Sequence, residues 1–543
     1  MVLPVSPLTT ATRAVLAPML LYALAVVPRY PGAAMHWLAI EPALVLAVML
    51  VVPRRAERGL RALVVLVYAL VLALSAASWG TGLAFGRTFE LARDYRLPVF
   101  GWNVFAHAIG YATAVAVLVA VIVAIACLLV LLFRSLRAWT HATVPQRLRY
   151  AALAALMLIA LLALGLMRTQ PVAPVYERIA VQARHYLERR NERRAFQREL
   201  QAPPMDARAD LGRLAGQNVL FVFVESYGRT LFERALYADT VKSRLADFER
   251  RIGEAGFAAR SGWLTSPTVG GQSWLAHATL LSGLWIDSQP RYEALIASDR
   301  ISLNRRFRQA GWRTVAVMPA ITRAWPESAW FSYDRVYASD DLGYEGEPFN
   351  WVTMPDQYTL AALQRAELDP AGTQPVMIEA ALISSHAPWV PIPPLMEWSR
   401  IGNGAVFNDY ARAGDPPVEV WKDADRVRTQ YRKAIDYSLA TLASFIAERA
   451  DDNLVLVILG DHQPAPIITG NNASRDVPMH IVSADPAVLK AVKGWGWKHG
   501  MTPDANTPVW RMDTFYDRFL SAFDSNADAG QPPSPAGTPA QPK

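Results

Sequence analysis

The stretch Asn218–Arg229 reads NVLFVFVESYGR, a run of apolar, strand-forming residues that stops abruptly at a carboxylate, Glu225. A run that is apolar at every position, not only at alternate ones, suits a strand covered on both faces, as in a parallel sheet. Similar runs follow: TVAVM at 314–318, VMIEAALI at 376–383 and LVLVIL at 454–459. Helical stretches lie between them, most clearly DADRVRTQYRKAIDYSLATLASFIAER at 423–449, with apolar residues at helical spacing. Strands alternating with helices predict an α/β sandwich built on a mostly parallel sheet.

Ligands of such sheets collect beyond the carboxyl ends of the strands. VLFVFV ends on Glu225, VMIEAALI runs out at Ser384-Ser385-His386, and LVLVIL ends at Gly460-Asp461-His462. A single strand often turns polar simply because it reaches solvent. Three runs that deliver carboxylates and imidazoles to one edge point to a divalent-metal site. A fourth element, TSPTVGGQSWLAHATLLSG at 265–283, reads as a Gly-Gly turn followed by a helix starting near Ser273. A hydroxyl there faces free backbone N–H groups and the positive end of the helix dipole, where phosphate or sulfate is favoured. A serine at a helix start is ordinarily a cap; next to a bound metal it becomes a candidate nucleophile. His277, one helical turn further on, is expected to be a packed structural histidine.

The rest of the chain adds a membrane half. The 543 residues exceed what one core holds, so two or more domains are expected. Hydrophobic residues make up 52% and the mean hydropathy is +0.14, an excess concentrated in the first third. Apolar segments at 11–27, 37–52, 62–78, 112–133 and 151–167 approach the roughly 17–25 residues a bilayer core requires. Pro18, Pro42 and Glu41 weaken the first two. The first lacks a clear cleavage site and is followed by further spans, so it reads as a retained helix.

Arg54, Arg55, Arg58 and Arg61 follow the second span, and Arg134, Arg137, Arg147 and Arg149 follow the fourth; both loops are expected to be cytoplasmic. The loop 79–110, which mixes both signs of charge, and everything after Met167 then lie outside. The net charge of +7 is accordingly read as membrane topology and not as nucleic-acid binding. Cys127 is the sole cysteine, which excludes an intrachain disulfide and a cysteine-based zinc site. The expected organisation is a five-span transmembrane domain over 1–168, a charged helical linker over 169–215, a catalytic domain over 216–524 and a disordered Pro/Ala/Gly-rich tail over 525–543. The linker suits either an interfacial helix or a solvated spacer.

The motifs VFVESYGR, GGQSWLAHATLLSG, SSHAPW and LGDHQP together resemble the alkaline phosphatase and sulfatase superfamily. The order of elements is similar to the membrane-anchored lipoteichoic acid synthase type of phosphoglycerol transferase, with five spans and an extracytoplasmic sulfatase-like domain. The resemblance implies that Glu225, Asp461 and His462 hold one divalent metal, manganese or magnesium before zinc, with Ser273 as nucleophile on it. It further implies that His386 faces the substrate phosphate and that Trp325 contacts substrate. The chain departs from the family in carrying serine where threonine is usual, Met318 where a histidine is expected and Glu327 where an arginine is expected; Arg323 is placed to substitute for that arginine.

The expected function is a metal-dependent transfer of a phosphoglycerol-like headgroup from a membrane lipid donor to an envelope glycan or lipid, through a phospho-serine intermediate. The expected location is a bacterial inner membrane. A membrane-anchored phosphodiesterase uses the same residues with water as acceptor. Sulfatases require C/S-x-P-x-R, and Ser273-Trp274-Leu275-Ala276-His277 does not match it. The phosphoethanolamine branch usually carries disulfides, which ranks that donor below phosphoglycerol. A silent receptor on this fold would have lost a ligand or the nucleophile, and all four residues are present.

Overall fold

The computed structural model describes residues 7–27, 39–141, 154, 158, 173–201, 210–370, 372 and 374–525. The chain divides into two compact units, Met1–Glu192 and Arg193–Lys543. The division falls inside the helix Pro174–Gln201, within the segment read as a linker.

In the first unit, two helices are long and apolar enough to cross a membrane among the described residues, Arg54–Phe85 and Tyr111–His141. They contain the third and fourth expected spans. The first expected span lies in Pro7–Val26, whose apolar part is short. The second is represented by Glu41–Val51, 11 residues long. At about 1.5 Å per residue that helix covers roughly half a bilayer core. The fifth span falls outside the described residues apart from Ala154 and Leu158. Leu21, Met49, Tyr68, Val71, Leu132 and Leu136 form the buried core of this unit, while Val117 through Val123 are exposed around the helix. Apolar residues left outward on all sides of a helix suit a lipid environment. The segment 79–110, read as a loop, is largely helical, and in it Arg87 makes a two-pronged ion pair with Asp94 at 2.6 and 2.7 Å.

The second unit is built on a nine-stranded sheet. Its strands are β1 (Asn218–Val224), β2 (Ala258–Thr265), β3 (Arg313–Met318), β4 (Arg335–Ala338), β5 (Val376–Leu382), β6 (Leu454–Gly460), β7 (Asp476–Ser483), β8 (Lys498–His499) and β9 (Val509–Arg511). They run in the order β4-β3-β5-β1-β6-β7-β2-β8, with β9 beside β2. The four runs read from the sequence are β1, β3, β5 and β6, and with β4 they form a continuous parallel block. The sheet is mixed beyond them: β7 is antiparallel to both β6 and β2, and β8 is antiparallel to β2. Alternating side chains feed two helical layers. Leu220, Val222 and Val224 pack with the helices Ala235–Glu254 and Ala424–Arg449, whereas Val219, Phe221 and Phe223 pack with Ser273–Ser282 and Thr514–Phe523.

This alternation accounts for the carboxylate at the end of β1. Glu225 continues the series 219, 221, 223, and Asp461 continues Val455, Val457 and Leu459 on β6, so both carboxylates emerge on the same face of the sheet. Gly460 lets the two strand ends approach, because a Cβ there would run into the Tyr227 carbonyl oxygen. Gly460→Ala is therefore expected to destabilise the domain by about 3 kcal/mol. Urea unfolding will measure this, and a change under about 0.5 kcal/mol would show that the close approach is not constrained.

Candidate metal centre and nucleophile

Ser273 reaches the site by a strained turn. Gly270 and Gly271 have φ of 73° and 144°, and Gln272, a non-glycine residue, has φ of 64°. The turn is tied to the loop after β6: Gly270 N donates to the Gln463 carbonyl at 2.7 Å and Ser266 Oγ to the Asp461 carbonyl at 2.6 Å. Ser273 is then the first residue of the helix Ser273–Ser282. Its hydroxyl does not cap the helix. Oγ donates to Glu225 Oε2 at 3.0 Å and lies 3.2 Å from His462 Nε2.

Glu225, Asp461 and His462 offer ligand atoms that all lie within 4.8 Å of one another. His462 Nε2 is 3.3 Å from Glu225 Oε1 and 3.6 Å from Asp461 Oδ2. The surrounding bonds orient each donor. Asp461 Oδ1 accepts from Ser226 N at 2.8 Å and His462 N at 2.6 Å, which leaves Oδ2 for the centre. His462 Nδ1 lies 2.9 Å from the Gln463 carbonyl, an acceptor only, so Nδ1 carries the hydrogen and Nε2 is the ligating nitrogen. Ser385 Oγ holds the Glu225 carbonyl at 2.6 Å and Tyr431 Oη the Ser226 carbonyl at 2.9 Å. Two carboxylates and an imidazole, buried and directed at one point with a hydroxyl beside them, fit a divalent cation.

The electrostatics agree with that fit. Burial opposes ionisation of Glu225, but nearby His386 and His462 outweigh it and hold its carboxyl well below the usual range. Burial, reinforced by the Glu225 charge, pushes Asp461 up to about 7. His462 is disfavoured as a cation by burial, yet Asp461 and Glu225 raise it to about 9. Without an ion the centre thus retains protons at neutral pH, standing where positive charge is required.

His386 lies close enough to interact with the charge of Glu225, and burial lowers its pKa against that attraction. Its ring meets Trp351 edge to face at 3.9 Å, and Nδ1 lies 2.7 Å from the Ala387 carbonyl. Trp325 sits in an aromatic group with Phe331 and Tyr333, at 5.6 and 6.1 Å between ring centroids. Arg323 is exposed. No described contact joins Trp325 or Arg323 to the four central residues.

Two supporting carboxylates escaped sequence reasoning. Asp356, fully buried, accepts from Ile383 N and Ser384 N at 2.8 Å each and from Ser438 Oγ at 2.6 Å, anchoring the loop that carries His386. Its sequence signal was slight, one aspartate after Pro355. Glu379, buried inside β5, did leave a signal: a lone acid in the middle of an apolar strand.

Cation binding must displace the protons retained on His462 and Asp461. Raised pKa values mean that the competing protonated forms persist below about pH 9 and pH 7 respectively, so affinity should rise with pH. Titration calorimetry of Mn2+ binding in buffers of different ionisation enthalpy should give release of between one and two protons per ion at pH 7, and binding that tightens by more than about tenfold per pH unit from 6 to 8. Binding that releases no proton would contradict the assignment.

No family model and no curated protein matches this chain. Among solved structures it is similar to the lipoteichoic acid synthase LtaP from Listeria monocytogenes, at 13% identity over 60% of this chain and 76% of that one, with a TM-score of 0.36. It is also similar to the C-terminal periplasmic domain of EcEptC from Escherichia coli in complex with Zn, at 13% identity over 57% and 84% of the two chains, with a TM-score of 0.38. A third likeness is to a protein in the alkaline phosphatase superfamily from Vibrio parahaemolyticus, at 14% identity over 50% of this chain and 60% of that one, with a TM-score of 0.33. Glu225, Ser273, Asp461 and His462 meet at the carboxyl edge of the sheet.

Proposed function

We propose that this protein is a membrane-anchored, metal-dependent phosphotransferase that moves a phosphoglycerol-like headgroup from a lipid donor to an envelope glycan or lipid through a phospho-serine at Ser273. The observation that carries the reading is the position of Ser273 Oγ, at a helix N-terminus and within 3.0 Å of Glu225 and 3.2 Å of His462. Glu225, Asp461 and His462 would hold one divalent cation, manganese or magnesium before zinc. When bound it supplies the positive charge that lets the serine oxygen react as an oxyanion at neutral pH. The first N–H groups of the helix Ser273–Ser282 favour the transferred phosphate. His386 faces it from the loop after β5, and Trp325 and Arg323 contact the remainder of the substrate.

The domain then lies outside a bacterial inner membrane, with the arginine-rich loops inside; the two helices long and apolar enough to cross a membrane among the described residues and the arginine placement support a membrane anchor. A lipid donor suits an enzyme held at the bilayer. Water in place of the acceptor hydroxyl gives the phosphodiesterase reading, with the same first half-reaction.

Incubation of the full-length protein with envelope lipids and Mn2+, followed by intact-protein mass spectrometry, should reveal an adduct of phosphoglycerol mass on Ser273. Ser273→Ala should abolish the adduct and lower turnover by more than about 10⁴-fold. Asp461→Asn, which keeps the oxygen accepting from Ser226 N and His462 N, should lose turnover while unfolding at nearly the wild-type temperature. Full activity in either variant would defeat the proposal, and release of the headgroup without any acceptor product would select hydrolysis.

A further inference from the structure

His277 has no role in the scheme above, yet its surroundings are unlike those of a packing residue. It is nine-tenths buried, one turn along the helix from Ser273, with its ring flat on Phe223 at 3.7 Å between centroids and 15° between planes. Phe223 and Glu225 share a face of β1, so this ring lies just behind the proposed metal centre. His277 Nδ1 is 2.7 Å from Glu379 Oε1. The other oxygen of Glu379 accepts from the Tyr333 hydroxyl and from Asn304 Nδ2 at 3.4 Å. These donors leave Glu379 the acceptor, which places the imidazole hydrogen on Nδ1 and the lone pair on Nε2.

Nε2 makes no hydrogen bond among the described residues. Glu379 pairs in register with Phe221, two residues deeper in the sheet than Phe223. Glu379 thus engages Nδ1 from deeper in the sheet than Phe223, and Nε2 is the ring nitrogen left for the edge where Glu225 and Asp461 emerge. A cluster serving only to tie the helix to β5 gains nothing from an open basic nitrogen. An acid–base carrier requires one, oriented by a carboxylate on its other side.

We propose that His277, positioned by Glu379, carries the proton of the transfer reaction, an inference that rests on the phospho-serine reading. In the first half-reaction the Ser273 oxyanion forms a bond to phosphorus, the bond from phosphorus to the donor's leaving oxygen breaks, and protonated Nε2 gives that oxygen its hydrogen. In the second, Nε2 takes the hydrogen of the acceptor hydroxyl, the acceptor oxygen bonds to phosphorus, and the Ser273–phosphorus bond breaks to return the oxyanion. The donor's leaving group departs with the hydrogen that Nε2 carried, the acceptor's hydrogen replaces it, and His277 is restored. Glu379 touches neither substrate; it fixes the tautomer and direction of the ring.

The test compares two donors on the full-length, Mn2+-loaded protein in detergent: phosphatidylglycerol, whose alkoxide leaving group needs a proton, and bis(4-nitrophenyl) phosphate, whose leaving group does not. His277→Gln should slow adduct formation from phosphatidylglycerol about 100-fold and from the nitrophenyl diester less than about 5-fold, and slow the breakdown of either adduct about 100-fold so that it accumulates. Glu379→Gln should give the same pattern at about 10-fold, and carries the test if His277→Gln does not fold. Equal slowing with both donors, or unchanged turnover, overturns the assignment. If the wild-type protein forms no Ser273 adduct from either donor, the phospho-serine reading fails first and this one with it.

Discussion

Two acids and an imidazole share a space less than 5 Å across at the end of the sheet, walled from solvent. Like charges this close cannot all ionise without a compensating positive charge, and this requirement organises the surrounding structure. It explains why Asp461 spends one oxygen on two backbone N–H groups, and why a glycine stands at position 460. It also explains why the loop bearing Ser273 is tied to the loop bearing His462. Each of these features removes a degree of freedom from a donor that would otherwise turn away from its neighbours. The serine, placed last, inherits the field thus created.

The parallel block could be read from sequence because β1, β3, β5 and β6 are apolar at nearly every position, and a strand covered on both faces leaves little else. The antiparallel side could not. β2 reads AARSGWLT and β7 reads DVPMHIVS, strands whose buried positions include Arg260, Ser261, Gly262 and His480. Their polar atoms are satisfied by long-range bonds, such as Ser261 Oγ to His480 Nδ1 at 2.7 Å, that no local pattern announces. For the same reason the four central residues were visible as strand ends and a helix start, while Asp356 and Glu379 were not assigned. A supporting carboxylate is defined by what lies across from it, not by its neighbours in the chain.

In the N-terminal unit the limit was different. Hydropathy locates an apolar segment but not where its helix begins and ends. The third segment is embedded in a 32-residue helix that starts at Arg54, right after Pro53, and runs beyond the apolar stretch to Phe85. Proline at position 53 cannot continue the preceding helix, which stops at Val51 after 11 residues. Arg87 and Asp94, counted in sequence only as mixed charges in a loop, neutralise each other through paired hydrogen bonds.

The retention of protons by His462 and Asp461 has a bearing on how the molecule matures. A centre whose own imidazolium balances its carboxylates is not torn open by repulsion when no ion is at hand. The domain can therefore reach its final shape before it meets a cation, and loading becomes an exchange of hydrogen ions for a heavier one in a finished receptacle. Cation supply then bears on the filling of the centre and not on the survival of the polypeptide.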